Sequence, residues 1–153
     1  MKKNIKNTCM NGFHAEYMML LLTVMIIGVS CKKELKASDP LPLIYSSVYI
    51  VGDASAAKWD IAAALPMIVN PSNSAEFTWT GPLVAGEIKF PTLRNWTADC
   101  FMSATAAQPI SNNKAQIALG GNPDLKWKLS AAEAGNYKIT VDMKAITVSF
   151  QKL

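Results

Sequence analysis

The chain is poor in the residues that most enzymes work with. It has one histidine, His14, and three cysteines, Cys9, Cys31 and Cys100, among 153 residues. His14 and Cys9 lie ahead of the end of an apolar run, Met18–Val29, that stops at Ser30 and Cys31. A hydrocarbon core takes ~20 apolar residues to span, so this run, with Lys2, Lys3 and Lys6 before it, reads as a cleaved signal segment over residues 1–30. Cleavage leaves no histidine in the remainder. Neither a Ser-His-Asp nor a Cys-His nucleophile can then be assembled, and the commonest metal ligand is missing. No glycine-rich phosphate loop occurs, because Gly120-Gly121 lacks a following Gly or Lys-Ser/Thr. Asp53, Asp60 and Asp99 are scattered without the spacing of a calcium loop and read as turn formers. A carboxylate pair drawn from Asp53, Asp60, Glu76, Glu87, Asp99 and Asp124 is the remaining catalytic option, and no spacing shows which two would meet. The expectation is a protein that is not an enzyme, with no cofactor and no metal.

Charge is also modest. Removing three lysines and one glutamate with residues 1–30 takes the formal charge from +4 to +2, so the basic balance partly belongs to a targeting segment and implies no nucleic-acid partner. Gly28-Val29-Ser30 before Cys31 resembles a bacterial lipoprotein lipobox, which implies a lipid on Cys31. The other readings of this junction are an uncleaved signal anchor, or a buried helix with an incidental cysteine. With Cys31 acylated, Cys100 has no partner for an internal disulfide. It lies in the strand-like Ala98–Met102 and is expected as a buried, inert thiol.

From residue 31 to 46, lysines followed by the spaced Pro40 and Pro42 suit a flexible tether. Residues 47–153 are enough for one domain. Short period-two runs fill it. Ser47–Gly52 ends on a Gly-Asp turn signal, Phe77 and Trp79 alternate with Thr78 and Thr80, and Ile88 and Phe90 alternate with Glu87 and Lys89. Leu125, Trp127 and Leu129 oppose Lys126 and Lys128, and Tyr137, Ile139 and Val141 alternate with Lys138, Thr140 and Asp142. After a turn near Met143-Lys144 come Ile146, Val148 and Phe150. Separated by Gly, Pro and Asn clusters, such runs predict an all-β, antiparallel immunoglobulin-like β-sandwich of seven or eight strands. The alanine-rich Ala54–Ala64 and Ala104–Ala107 have room for a helical turn each, limited by Pro66 and Pro109.

Pattern divides the four tryptophans. Trp79 and Trp127 share strand faces with apolar residues and are expected in the core. Trp59 and Trp96 stand in loop-like segments with polar neighbours. Such an indole either plugs the edge of the core or offers a flat face to a ligand. The second reading has a mechanism: an indole covers the apolar C–H face of a pyranose while cationic or amide groups reach the hydroxyls at its rim. Lys89 points away from Ile88 and Phe90, and Arg94 and Asn95 adjoin Trp96, so the needed donors are near one platform.

An ordered set of segments carries a family likeness. Val48–Ala54 followed by Trp59-Asp60, then Phe77–Gly81, Gly86–Phe90, Asp124–Trp127 and Ala134–Asp142, resembles the SusE/SusF family of Bacteroidota outer-membrane, starch-binding lipoproteins over nearly all of Val48–Lys152. The resemblance implies a single non-catalytic carbohydrate-binding module, lipid-anchored in the outer membrane with the cell surface favoured over the periplasmic face. It implies an oligosaccharide or polysaccharide partner, a starch-like glucan favoured, passed to a glycan importer. It also implies a binding site of Trp59 and Trp96 with Lys89 and Arg94 as hydrogen-bonding partners, to which the position of Asn95 beside Trp96 adds a fifth residue. The alternative is a structural or interaction lipoprotein docking on an outer-membrane transporter, with the indoles as interface anchors.

Overall fold

The computed structural model describes residues 45–153. The expected signal segment, the expected lipidation site Cys31 and nearly all of the expected tether lie outside the described residues. The described chain is an all-β sandwich of twelve strand segments: β1 (Tyr49–Ile50), β2 (Leu65–Pro66), β3 (Ile68–Asn70), β4 (Asn73–Leu83), β5 (Gly86–Ile88), β6 (Phe90–Pro91), β7 (Cys100–Ser103), β8 (Gln108–Pro109), β9 (Ala115–Ala118), β10 (Trp127–Leu129), β11 (Gly135–Asp142) and β12 (Thr147–Lys152). The count exceeds seven or eight because several strands are broken into pieces. Between β5 and β6 only Lys89 intervenes, and its backbone still pairs with Val51. One pair departs from the antiparallel expectation, since β8 and β10 run parallel.

The first layer is a four-stranded sheet in the order β12-β11-β4-β3. Its register sets Ile139 between Trp79 and Phe150, and Val141 between Phe77 and Val148. Residues directly opposite share a face, so the alternation read from the sequence becomes one apolar surface. Phe77, Ile139, Val141 and Val148 are buried, and Trp79 and Phe150 pack against them half-buried. Trp79 is thus a core-edge residue, its indole lying across Gly81 of its own strand. Tyr137 is buried too, and its hydroxyl donates to the Glu133 carbonyl at 2.6 Å, which satisfies its polar end.

The second layer is made of short pieces, β6-β7-β9 and β5-β10-β8. Ile88, Phe90, Phe101 and Trp127 point from it into the core, all fully buried. Phe150 reaches across from the first layer, its ring centroid 6.0 Å from Phe90 and 5.9 Å from Trp127. The Trp127 indole N–H donates to the Asn112 carbonyl at 3.0 Å, so this large side chain is buried without an orphaned donor.

Three sequence expectations need correction. Ile146 is not a strand residue: it sits in the β11–β12 turn at φ 51°, half out in solvent, and β12 begins one residue later. Leu125 does not join Trp127 in the main core but packs on a small separate cluster of Cys100, Met102 and Ala118. Ala54–Ala64 and Ala104–Ala107 form turns and bends with no helical turn.

That small cluster lies on the outward side of the second layer. Phe101 faces the core, so its strand neighbours Cys100 and Met102 face the other way, as Lys89 does between Ile88 and Phe90. The Cys100 thiol is buried as expected, and burial pushes its pKa up to about 12, keeping it a neutral thiol.

Candidate functional site

The outward side chain of Lys89 is the hub of this face. Its backbone is pinned by two hydrogen bonds to Val51, N–H to O at 3.0 Å and O from N–H at 3.1 Å. With Ile88 and Phe90 anchored in the core, the lysine has only the outer side to occupy. Its side chain is just 9% exposed, which demands a partner for the charge.

Two loops fold over it. The first, between β1 and β2, turns back sharply at Gly52, whose N–H donates to the Lys58 carbonyl at 2.6 Å. Gly52 has φ +139°, and a Cβ there would run into the Glu87 carbonyl, so only glycine fits this close approach. The closed turn delivers Trp59 above the sheet, 37% exposed, with the Lys89 ammonium 5.9 Å from its ring centroid. The second loop, residues 92–98, is cinched at its base where Thr92 bonds the Asp99 carbonyl through N–H and hydroxyl, at 2.9 and 2.8 Å. It presents Trp96, 45% exposed, with Lys89 Nζ 5.0 Å from its centroid. The two rings therefore flank one cation, a contact worth about 0.5–1 kcal/mol each at such exposure.

Asp124 completes the cluster. Its Oδ1 accepts from Lys89 Nζ at 2.7 Å and its Oδ2 from Lys126 Nζ at 2.8 Å. Lys126 in turn lies over Trp59, 5.6 Å from the ring centroid. Burial raises the Asp124 pKa, but hydrogen bonds from Lys126 and Lys89 and their charges outweigh it and hold the carboxyl below the usual range. Two exposed indoles, two ammonium groups and one carboxylate thus converge within a few ångströms.

Of the residues named from the sequence, Trp59, Trp96 and Lys89 come together. Arg94 does something more specific than donate into solvent. Its Nε and Nη2 both bond the Ala64 carbonyl, at 3.1 and 3.0 Å, and its guanidinium lies 5.0 Å from the Tyr49 ring centroid. Arg94 thereby ties the Trp96 loop to the segment that follows Trp59. Asn95 turns its side-chain carbonyl on Thr97, accepting from its N–H at 3.1 Å and its hydroxyl at 3.2 Å, an Asx turn that sets the direction of the chain at Trp96.

Lys126 and Asp124 were missed as partners of the site. Alternation places both on one side of Leu125, a signal available in the sequence. Nothing local says that this side adjoins Lys89, thirty-five positions earlier. The scattered aspartates serve turns and loop ties: Asp60 accepts from the Ala62 N–H, and Asp99 accepts from Gly120 N–H and the Tyr45 hydroxyl.

Comparison with curated proteins and with solved structures gives no significant match to either. A family model does match. The model for SusF/SusE starch-specific CBMs, a set of carbohydrate-binding modules, covers residues 47–149, more than half of the chain and every residue of the indole face. The chain belongs to the SusF/SusE family of starch-specific carbohydrate-binding modules.

Proposed function

We propose that the protein is a non-catalytic, lipid-anchored glycan-binding module that holds starch-like glucan on Trp59 and Trp96. Pyranose rings rest on the two indoles, and Lys89 donates to hydroxyls at their rims. Arg94 and Asn95 contribute by holding the Trp96 loop, with their remaining polar groups available to the sugar. The lipid on Cys31 tethers the module to the outer membrane, the cell surface favoured, where it retains glucan for an importer.

One observation carries this reading: two half-exposed indoles on separate loops both face a single, nearly buried ammonium. A core plug would need neither the exposure nor the shared cation. Because each sugar hydroxyl exchanges water for protein, the net gain for a short oligosaccharide is small, about −4 to −6 kcal/mol, or near-millimolar to tens of micromolar.

Affinity electrophoresis through gels containing amylopectin tests it. Wild-type protein is expected to be retarded, and Trp59→Ala and Trp96→Ala each to lose most of that retardation at unchanged melting temperature. Equal retardation of both variants and wild type would remove the site. No retardation of wild type by amylopectin or other glycans, with co-purification of an outer-membrane transporter, would favour the docking role instead.

A further inference from the structure

The carboxylate at the centre of the face is unexpected for a surface built from two aromatic plates and two ammonium groups. Lys89 and Lys126 alone would suit an acidic sugar, since a carboxylate or sulfate adds the attraction of opposite charges to the hydrogen bond that a hydroxyl also accepts. Asp124 occupies that place itself, one oxygen on each lysine at 2.7 and 2.8 Å. Its side chain is 54% exposed, so the negative group is open to solvent and within reach of a ligand. Asp124 and Lys126 also line an adjoining groove of about 150 Å³ with Glu87, so a second acid stands beside the cluster, although neither indole lines that groove.

We infer that Asp124 is the specificity-determining residue that makes this face take uncharged saccharides and turn away acidic ones. The inference rests on the glycan-binding reading above. A sugar hydroxyl can both donate to the carboxylate and accept from either ammonium. A uronate or sulfate oxygen only accepts, and it meets a like charge where its cationic partners are already engaged. Rejection by an installed repulsive group is how a binding surface separates ligands of similar shape.

The test uses the full chain and two polymers of one backbone, amylose and carboxymethyl-amylose, in parallel affinity gels. Wild type is expected to be retarded by amylose far more than by carboxymethyl-amylose. Asp124→Asn should shift the ratio of the two affinities about tenfold towards the carboxymethyl polymer, with the new binding weakened by added salt. Lys126→Gln, which removes a cation and keeps the acid, should move the ratio the opposite way. It decides the question if Asp124→Asn melts early. An unchanged ratio in either folded variant, with wild-type retention on amylose intact, overturns the role of Asp124 alone. Failure of wild type to bind amylose overturns the glycan reading and this inference with it.

Discussion

Strands β4, β11 and β12 hold one another through long ladders, whereas the layer that carries Lys89 is assembled from strands of two to four residues joined by turns. In the first layer each residue is placed by its ladder partner. In the second, the loops are placed by a few local contacts: Gly52 against Glu87, Arg94 on Ala64, Thr92 on Asp99. The lesson is a division of labour. Both layers bury large side chains in the shared core, and the regular ladders fix the register of the first. The short strands give up regularity, and in return their loops can gather an indole from each side onto one cation.

Perturbing the shared core should cost most. Trp127→Ala removes a fully buried side chain and one of the two donors to the Asn112 carbonyl, which keeps its bond from Gln108, so a loss of about 3–5 kcal/mol in a denaturant titration is expected, chiefly from the cavity. Gly52→Ala comes next, at about 3 kcal/mol, because the backbone conformation and the Glu87 carbonyl both reject a Cβ. If this variant melted like wild type, the second layer would be far more pliable than its contacts suggest. Arg94→Met sharpens the comparison further. It should lower stability by about 1 kcal/mol, through loss of the Ala64 hydrogen bonds, yet weaken glucan retention several-fold as the two loops drift. Equal, proportionate losses in both would make Arg94 an ordinary structural residue.

The smallest effect is in pH. The Asp124 carboxyl is held below its unfolded value, so its ion pairs add stability above that value and lose it as pH falls through the folded one. The pairs are partly exposed, and such bridges are worth about 0–1 kcal/mol. Melting temperature should therefore fall slightly more for wild type than for Asp124→Asn between pH 5 and acid. Glu133, lowered chiefly by its backbone and side-chain hydrogen bonds with Ser130, contributes in the same direction in both proteins and cancels in the difference.

The same division explains what could be read from the chain alone. Phe77 and Trp79, or Tyr137, Ile139 and Val141, repeat long enough for period two to be unmistakable, and the ladders turned out where the alternation put them. Ile146 continued the pattern numerically but lies in a turn at positive φ, which alternation does not detect. Leu125 was apolar and in phase, yet the strand starts only at Trp127 and the leucine serves the outer cluster. At the site, Trp59 and Trp96 stood out because no alternation accounted for them. Asp124 and Lys126 did not stand out, since a charged pair beside a strand looks the same whether it meets solvent or a lysine from another strand. Arg94 was visible as a residue, but its tie to Ala64 exists only once two loops thirty residues apart are brought together.

The division of the four tryptophans is tested most directly by following their indole N–H signals in a two-dimensional NMR titration with maltoheptaose. The expected result is that the signals of Trp59 and Trp96 shift with saturation in the near-millimolar to tens-of-micromolar range while those of Trp79 and Trp127 stay in place. Movement confined to Trp79 or Trp127, or four unmoved signals at saturating sugar, would contradict it.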